Sequence, residues 1–125
     1  IPSMDATVLD YMAEHYDAVI IESFGVGGLP DYDTCRYYPV VEKWVGLGKT
    51  VVMTTQVTNE GSNMSIYEVG RNIKYAFGLL ESYDMTLEAT VTKLMWILGQ
   101  TKKRDKVKEM FYQTVNRDIL WKTGM

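Results

Sequence analysis

The densest run of groups able to meet a small polar ligand is Thr54-Thr55-Gln56-Val57-Thr58-Asn59-Glu60-Gly61-Ser62-Asn63. Hydroxyl and amide groups donate or accept hydrogen bonds without carrying a fixed charge, which suits them to a small polar molecule. Surface loops are also polar where nothing binds, and the residues alone leave both readings open. Glu68 follows just before a helical stripe. A carboxylate there either complements a helix dipole or reaches for an ammonium group. The second candidate is Glu22-Ser23-Phe24-Gly25-Val26-Gly27-Gly28-Leu29-Pro30. Its glycines permit positive φ and close backbone approach, so N–H groups could face a carboxylate or phosphate. A tight strand-to-helix connection uses glycine equally well. It is not a dinucleotide fingerprint, because the third glycine would fall at Pro30.

Other chemistry is thin. His15, the single histidine, reads as a cap or a solvated residue near a helix end. No His, Cys and carboxylate cluster has metal-ligand spacing, and neither a Gly-x-Ser-x-Gly elbow nor a phosphate-cradling loop occurs. No catalytic residue, metal or cofactor is therefore assigned. Thirteen Lys and Arg against sixteen Asp and Glu give a formal charge of −3, which argues against a nucleic-acid partner. The run Lys102-Lys103-Arg104-Asp105-Lys106 reads as a solvated helix junction. Apolar runs of four or five residues are far too short for a membrane helix, which needs roughly 18–20. Cys35 stands alone, in keeping with a reducing compartment.

The elements that must position these groups are legible from periodicity. Met4, Val8, Leu9 and Met12 share a helical face, with Ser3 placed as N-cap. Ala18-Val19-Ile20-Ile21 and Thr50-Val51-Val52-Met53-Thr54 are the continuous apolar runs expected of strands covered on both faces. Between them lies a turn-rich stretch, residues 25–33. A helix follows, with Pro39 in its first turn and Val40, Val41, Trp44 and Val45 on its stripe. Val69, Ile73, Ala76 and Phe77 form the next stripe, stopped by Gly78, before a short strand at Leu79-Leu80. Thr86 caps a helix whose inner face is Leu87, Val91, Leu94, Met95 and Leu98; Asp105 caps another carrying Val107, Met110, Phe111 and Val115. Met95, Trp96 and Phe111 read as core. The 125 residues make one α/β domain, a small open parallel sheet with helices on both faces. Opening on Ile1-Pro2-Ser3 without Met, the chain is expected to be a piece of something longer.

Read together, these motifs resemble a known family. The run from Ile20 through Pro30 looks like the strand and glycine loop that open the C-terminal domain of L-asparaginases. Val51-Val52-Met53-Thr54-Thr55-Gln56 resembles that domain's second strand, and Asn63 with Ile66-Tyr67-Glu68-Val69-Gly70-Arg71 its third region. Asp84-Met85-Thr86-Leu87-Glu88-Ala89, Lys93-Leu94-Met95-Trp96 and Leu98-Gly99-Gln100 are similar to the cytoplasmic, type I branch. The resemblance covers essentially the whole chain.

It implies hydrolysis of L-asparagine to L-aspartate and ammonia through a threonine nucleophile. Those threonines belong to an N-terminal catalytic domain, in Thr-Gly-Gly-Thr and Gly-Thr-Asp-Thr motifs that this chain lacks. The expected role is therefore support: assembly into a homodimer or homotetramer and completion of a neighbouring subunit's site, with no turnover alone. Glu68 aligns with a carboxylate that, in the periplasmic branch of the family, approaches the substrate's α-amino group from the adjacent subunit; Gly27 and Gly28 are the glycine-loop contacts, Gly28 standing where the family commonly has Asn. Type I relatives bind asparagine as an effector through an Arg and a Cys whose places hold Glu22 and Val57 here, so that Glu22, Ser23, Thr55, Gln56 and Val57 are the corresponding positions. Two alternatives stand beside this reading. One is the ammonia-supplying component of an archaeal glutamyl-tRNA(Gln) amidotransferase, which the stretch from Asp84 to Gly99 also resembles. The other is a stand-alone effector-binding or assembly module.

Overall fold

The computed structural model describes residues 5–23, 29, 31–32, 35–57, 61–64 and 68–120. Among these, five helices and five strands follow one another as α1 (Thr7–His15), β1 (Ala18–Ser23), β2 (Asp31–Tyr32), β3 (Cys35–Arg36), α2 (Tyr38–Gly46), β4 (Thr50–Thr55), α3 (Glu68–Phe77), β5 (Leu80–Glu81), α4 (Leu87–Leu98) and α5 (Arg104–Tyr112). Strands β1, β4 and β5 form a parallel sheet in that order. β2, at the end of the expected turn-rich region, and β3, just beyond it, make a small antiparallel pair. The expected α/β class, with a parallel sheet covered on both faces, is what the chain adopts.

Connectivity explains the layering. Parallel neighbours need crossover connections, here α2 between β1 and β4 and α3 between β4 and β5. Two crossovers of one hand advancing in one direction put their helices on the same side. Val51 and Met53 of β4 accordingly pack with Val19, Leu9, Ala13, Val41 and Trp44 in a core under α1 and α2. Val52 points the other way, into a second core with Leu80, Leu94, Ile97, Val107 and Phe111. β4 is buried along almost its whole length, the environment its unbroken apolar run demands.

Several helix boundaries and faces differ from expectation. α1 begins at Thr7, where the Asp5 carboxylate accepts the Thr7 N–H at 2.8 Å; the Ser3 cap and Met4 lie outside the described residues. Its inner face is Leu9 and Ala13, with Ala6 buried just before its start, and Val8 is exposed. In α3 Lys74 is buried, whereas Ala76 is exposed. Thr86 does cap α4, accepting the Ala89 N–H at 3.2 Å. The face α4 buries is Thr90, Lys93, Leu94 and Ile97. Met95 is 69% and Trp96 59% exposed, so neither is core. That rotation follows from Lys93, which turns inward to meet Asp118 at 2.7 Å and the Gln113 carbonyl at 2.6 Å, with its ammonium 5.9 Å from the Phe111 ring centroid. α5 starts at Arg104, with Lys103 rather than Asp105 at its cap position; Val107 and Phe111 are buried, and Val115 lies past its end, exposed.

Candidate functional site

In an open parallel sheet, loops gather around a ligand beyond the carboxyl ends of the strands. A cleft of about 450 Å³ lies there. Glu22, Thr54, Thr55, Gln56 and Val57 supply one wall from the ends of β1 and β4; Gly61 lies beside them, and residues 84–88 supply the other. Four of the five candidate effector positions are thus brought together. The fifth, Ser23, is buried, and its hydroxyl donates to the Thr54 carbonyl at 2.7 Å, so it ties β1 to β4. Gly27 and Gly28 lie outside the described residues. Glu68 opens α3.

Local geometry holds the first wall. The Gln56 N–H continues the ladder to the Ser23 carbonyl at 3.1 Å, and the Thr55 hydroxyl accepts the Val57 N–H at 3.1 Å, turning the chain outward. The far wall, Asp84 to Glu88, was not singled out as a site from sequence. The signal was present in Thr86: a helix that follows a parallel strand starts at the carboxyl end of the sheet, where ligands sit. Asp84 accepts the Leu120 N–H with both carboxylate oxygens at 3.2 Å, which fixes that wall to the chain's last turns.

Among the described residues, the lining contains the carboxylates Glu22, Asp84 and Glu88, the hydroxyls of Thr54, Thr55 and Thr86, and no Lys or Arg. Such a lining attracts an ammonium group and repels a phosphate. The hydroxyls of Thr55 and Thr86 accept backbone N–H groups, and His15 ends α1, its ring 4.5 Å from that of Tyr11 and tilted by 45°, at the amino end of the sheet.

A second polar cluster, next in sequence to Gly61 and Asp84 of the cleft, is one that sequence reasoning missed entirely. Lys74 and Glu81 are 5% and 0% exposed and pair at 2.8 Å. The Lys74 ammonium also donates to the Tyr83 hydroxyl at 2.5 Å. The other Glu81 oxygen accepts the Met64 N–H at 2.5 Å, and the Glu81 N–H donates to the Tyr112 hydroxyl at 2.9 Å. Burial pushes the Tyr112 hydroxyl well above its ordinary 10, so it stays a neutral phenol. Ser62 closes the arrangement: its N–H donates to the Tyr83 carbonyl at 2.8 Å and its hydroxyl accepts the Tyr83 N–H at 2.8 Å. Tyr83 itself has φ 51°, a left-handed conformation that a bulky residue keeps only when its neighbours over-determine it.

Comparison with known proteins decides the family. Residues 1–111 match the Glutaminase/Asparaginase C-terminal domain. The chain belongs to that family. It is 36% identical over 118 residues to the L-asparaginase of Thermococcus kodakarensis, covering 94% of this chain and 35% of that protein. It is 31% identical over 115 residues to a glutamyl-tRNA(Gln) amidotransferase component of Methanothermobacter thermautotrophicus, covering 92% of this chain and 25% of that one. The solved thermostable L-asparaginase from Thermococcus kodakarensis superposes with a TM-score of 0.88 at 34% identity, over 98% of this chain and 36% of that chain. This asparaginase-type C-terminal domain thus spans about a third of the asparaginases it matches.

Proposed function

We propose that the chain is the C-terminal domain of a cytoplasmic, type I-like L-asparaginase, which hydrolyses L-asparagine to L-aspartate and ammonia. The observation that carries this reading is likeness to an L-asparaginase along nearly the whole chain, in sequence and in fold. A threonine hydroxyl of the N-terminal domain adds to the side-chain carboxamide carbon and the C–N bond breaks, releasing ammonia. Water then cleaves the resulting ester, giving aspartate and restoring the hydroxyl. The present domain supplies shape, a contact surface for a second copy and the Glu68 carboxylate for a neighbouring copy's substrate, and does not turn over alone. The lack of cationic side chains among the described residues of the cleft is in keeping with an amino-acid ligand rather than a phosphorylated one.

Ammonia release from asparagine and glutamine tests this reading, assayed with the full-length polypeptide beside the isolated 125 residues. Activity on asparagine in the first and none in the second is expected. A folded full-length protein inert towards both amides would overturn it.

A second reading has its own support: 31% identity to a glutamyl-tRNA(Gln) amidotransferase component over most of the chain. In that case the full polypeptide would release ammonia for a companion chain acting on tRNA. An ammonia yield that rises several-fold only with glutamyl-tRNA and that companion would favour it.

A further inference from the structure

We infer that Glu81 is a positioning residue for Glu68, acting through the backbone of residue 64; the inference rests on the reading in which Glu68 meets the substrate's ammonium group. One Glu81 oxygen takes the Met64 N–H and the other takes the Lys74 ammonium, so a single buried carboxylate grips the chain on both sides of the start of α3. Glu68 is the first residue of that helix. Four residues of chain reach at most about 14 Å, so fixing residue 64 and residue 74 confines the Glu68 backbone between two anchors.

The grip is reinforced on its outer side. Gly61 stands at φ +66°, and a Cβ there would lie 2.6 Å from the Tyr83 carbonyl oxygen. Only glycine lets this backbone press so closely on the strand end. Ser62 then exchanges two hydrogen bonds with Tyr83, and its hydroxyl sits 3.4 Å from that of Ser82. Residues 61–64 are thereby fastened along Glu81, Ser82 and Tyr83, and Gly61 also lines the cleft. An ionic pair is a costly way to build a core, because both charges must leave water. What this pair adds over apolar packing is direction: a carboxylate has two oxygens at fixed geometry, and here one holds the Met64 N–H and the other holds Lys74 of α3, the helix that Glu68 opens.

The inference is tested in the full-length enzyme with Glu81→Gln, Glu68→Gln and the two combined, measuring KM and kcat for asparagine and hydrogen exchange at residues 61–68. Glu68→Gln should raise KM about tenfold with little change in kcat, the signature of a lost ground-state contact. Glu81→Gln should speed exchange at the Met64 amide by more than about tenfold and raise KM several-fold. In the Glu68→Gln background that KM penalty should shrink to less than about twofold, because the two residues act through one contact. Should Glu81→Gln fail to fold, Lys74→Met with Glu81→Leu removes both charges and the Met64 acceptor together, and is read the same way. Unchanged exchange at Met64, or a KM penalty undiminished without Glu68, would overturn the positioning role alone. A wild-type KM for Glu68→Gln would instead overturn the assignment of Glu68, and with it the function given to Glu81.

Discussion

A lysine and a glutamate that share a dry site are worth little as a pair and a great deal against the loss of either one. Removing Lys74 alone strands the Glu81 carboxylate, which is 0% exposed. Lys74→Met should therefore lower stability by about 3–5 kcal/mol, measured by urea denaturation. Replacing both by Met and Leu should recover most of that loss. Asp118 has a gentler version of the same arrangement. Burial pushes its carboxyl upward, but the Lys93 hydrogen bond, the Val115 and Ile119 N–H groups and the Lys93 charge together hold it below its ordinary 3.8. A carboxyl lowered in the folded state stabilises fully above its unfolded value and loses that contribution as pH falls through the folded one. The wild type should thus lose stability below about pH 4 more steeply than Asp118→Asn, seen in denaturation midpoints at pH 3 and pH 6.

At the scale of elements, helix ends carry the information. The Lys49 ammonium donates to the Ala13 carbonyl at 2.5 Å and the Tyr16 carbonyl at 2.8 Å, closing the C-terminal turn of α1 from a residue 33 positions beyond Tyr16. It thereby also joins α1 to the start of β4. Lys49→Met should cost about 1.5–3 kcal/mol, more than Thr86→Ala at the N-cap of α4, which should cost about 1 kcal/mol; urea midpoints rank the two. The outer face of α4 behaves differently. Because Trp96 is 59% exposed, Trp96→Lys should leave stability of the 125-residue chain within about 0.5 kcal/mol. A core Trp would cost several times more, so one midpoint decides which face α4 buries.

The whole molecule is two cores sharing one sheet. Met53 and Val52 are neighbours in β4 and lie in different cores, so neither core can melt without exposing the strand that supports the other. Ile97→Ala, on the α4 side, should cost about 2–5 kcal/mol. It should also shift the unfolding seen at Trp44, on the α2 side, to the same urea midpoint as the helical circular dichroism. Two separated transitions would show that the faces fold independently.

Local chemistry was enough to place residues 18–21 of β1 and 50–54 of β4, the proline start of α2, the Thr86 cap and the glycine stop at Gly78, where φ is +63°. Each rests on steric and hydrogen-bonding preferences of adjacent residues, which the order of residues already contains. Likeness to asparaginases was legible for the same reason, since motifs in order survive without coordinates. The cleft was half legible: Glu22 and Thr55 lie at the ends of strands and Gln56 and Val57 follow one, but nothing local announces that residues 84–88 face them. The inward turn of Lys93, the use of Ser23 as a cross-strand tie and the Lys74–Glu81 grip belonged to the tertiary structure alone. A charged side chain looks solvated in any sequence, and only packing of a helix against a strand end removes the water and supplies its partner.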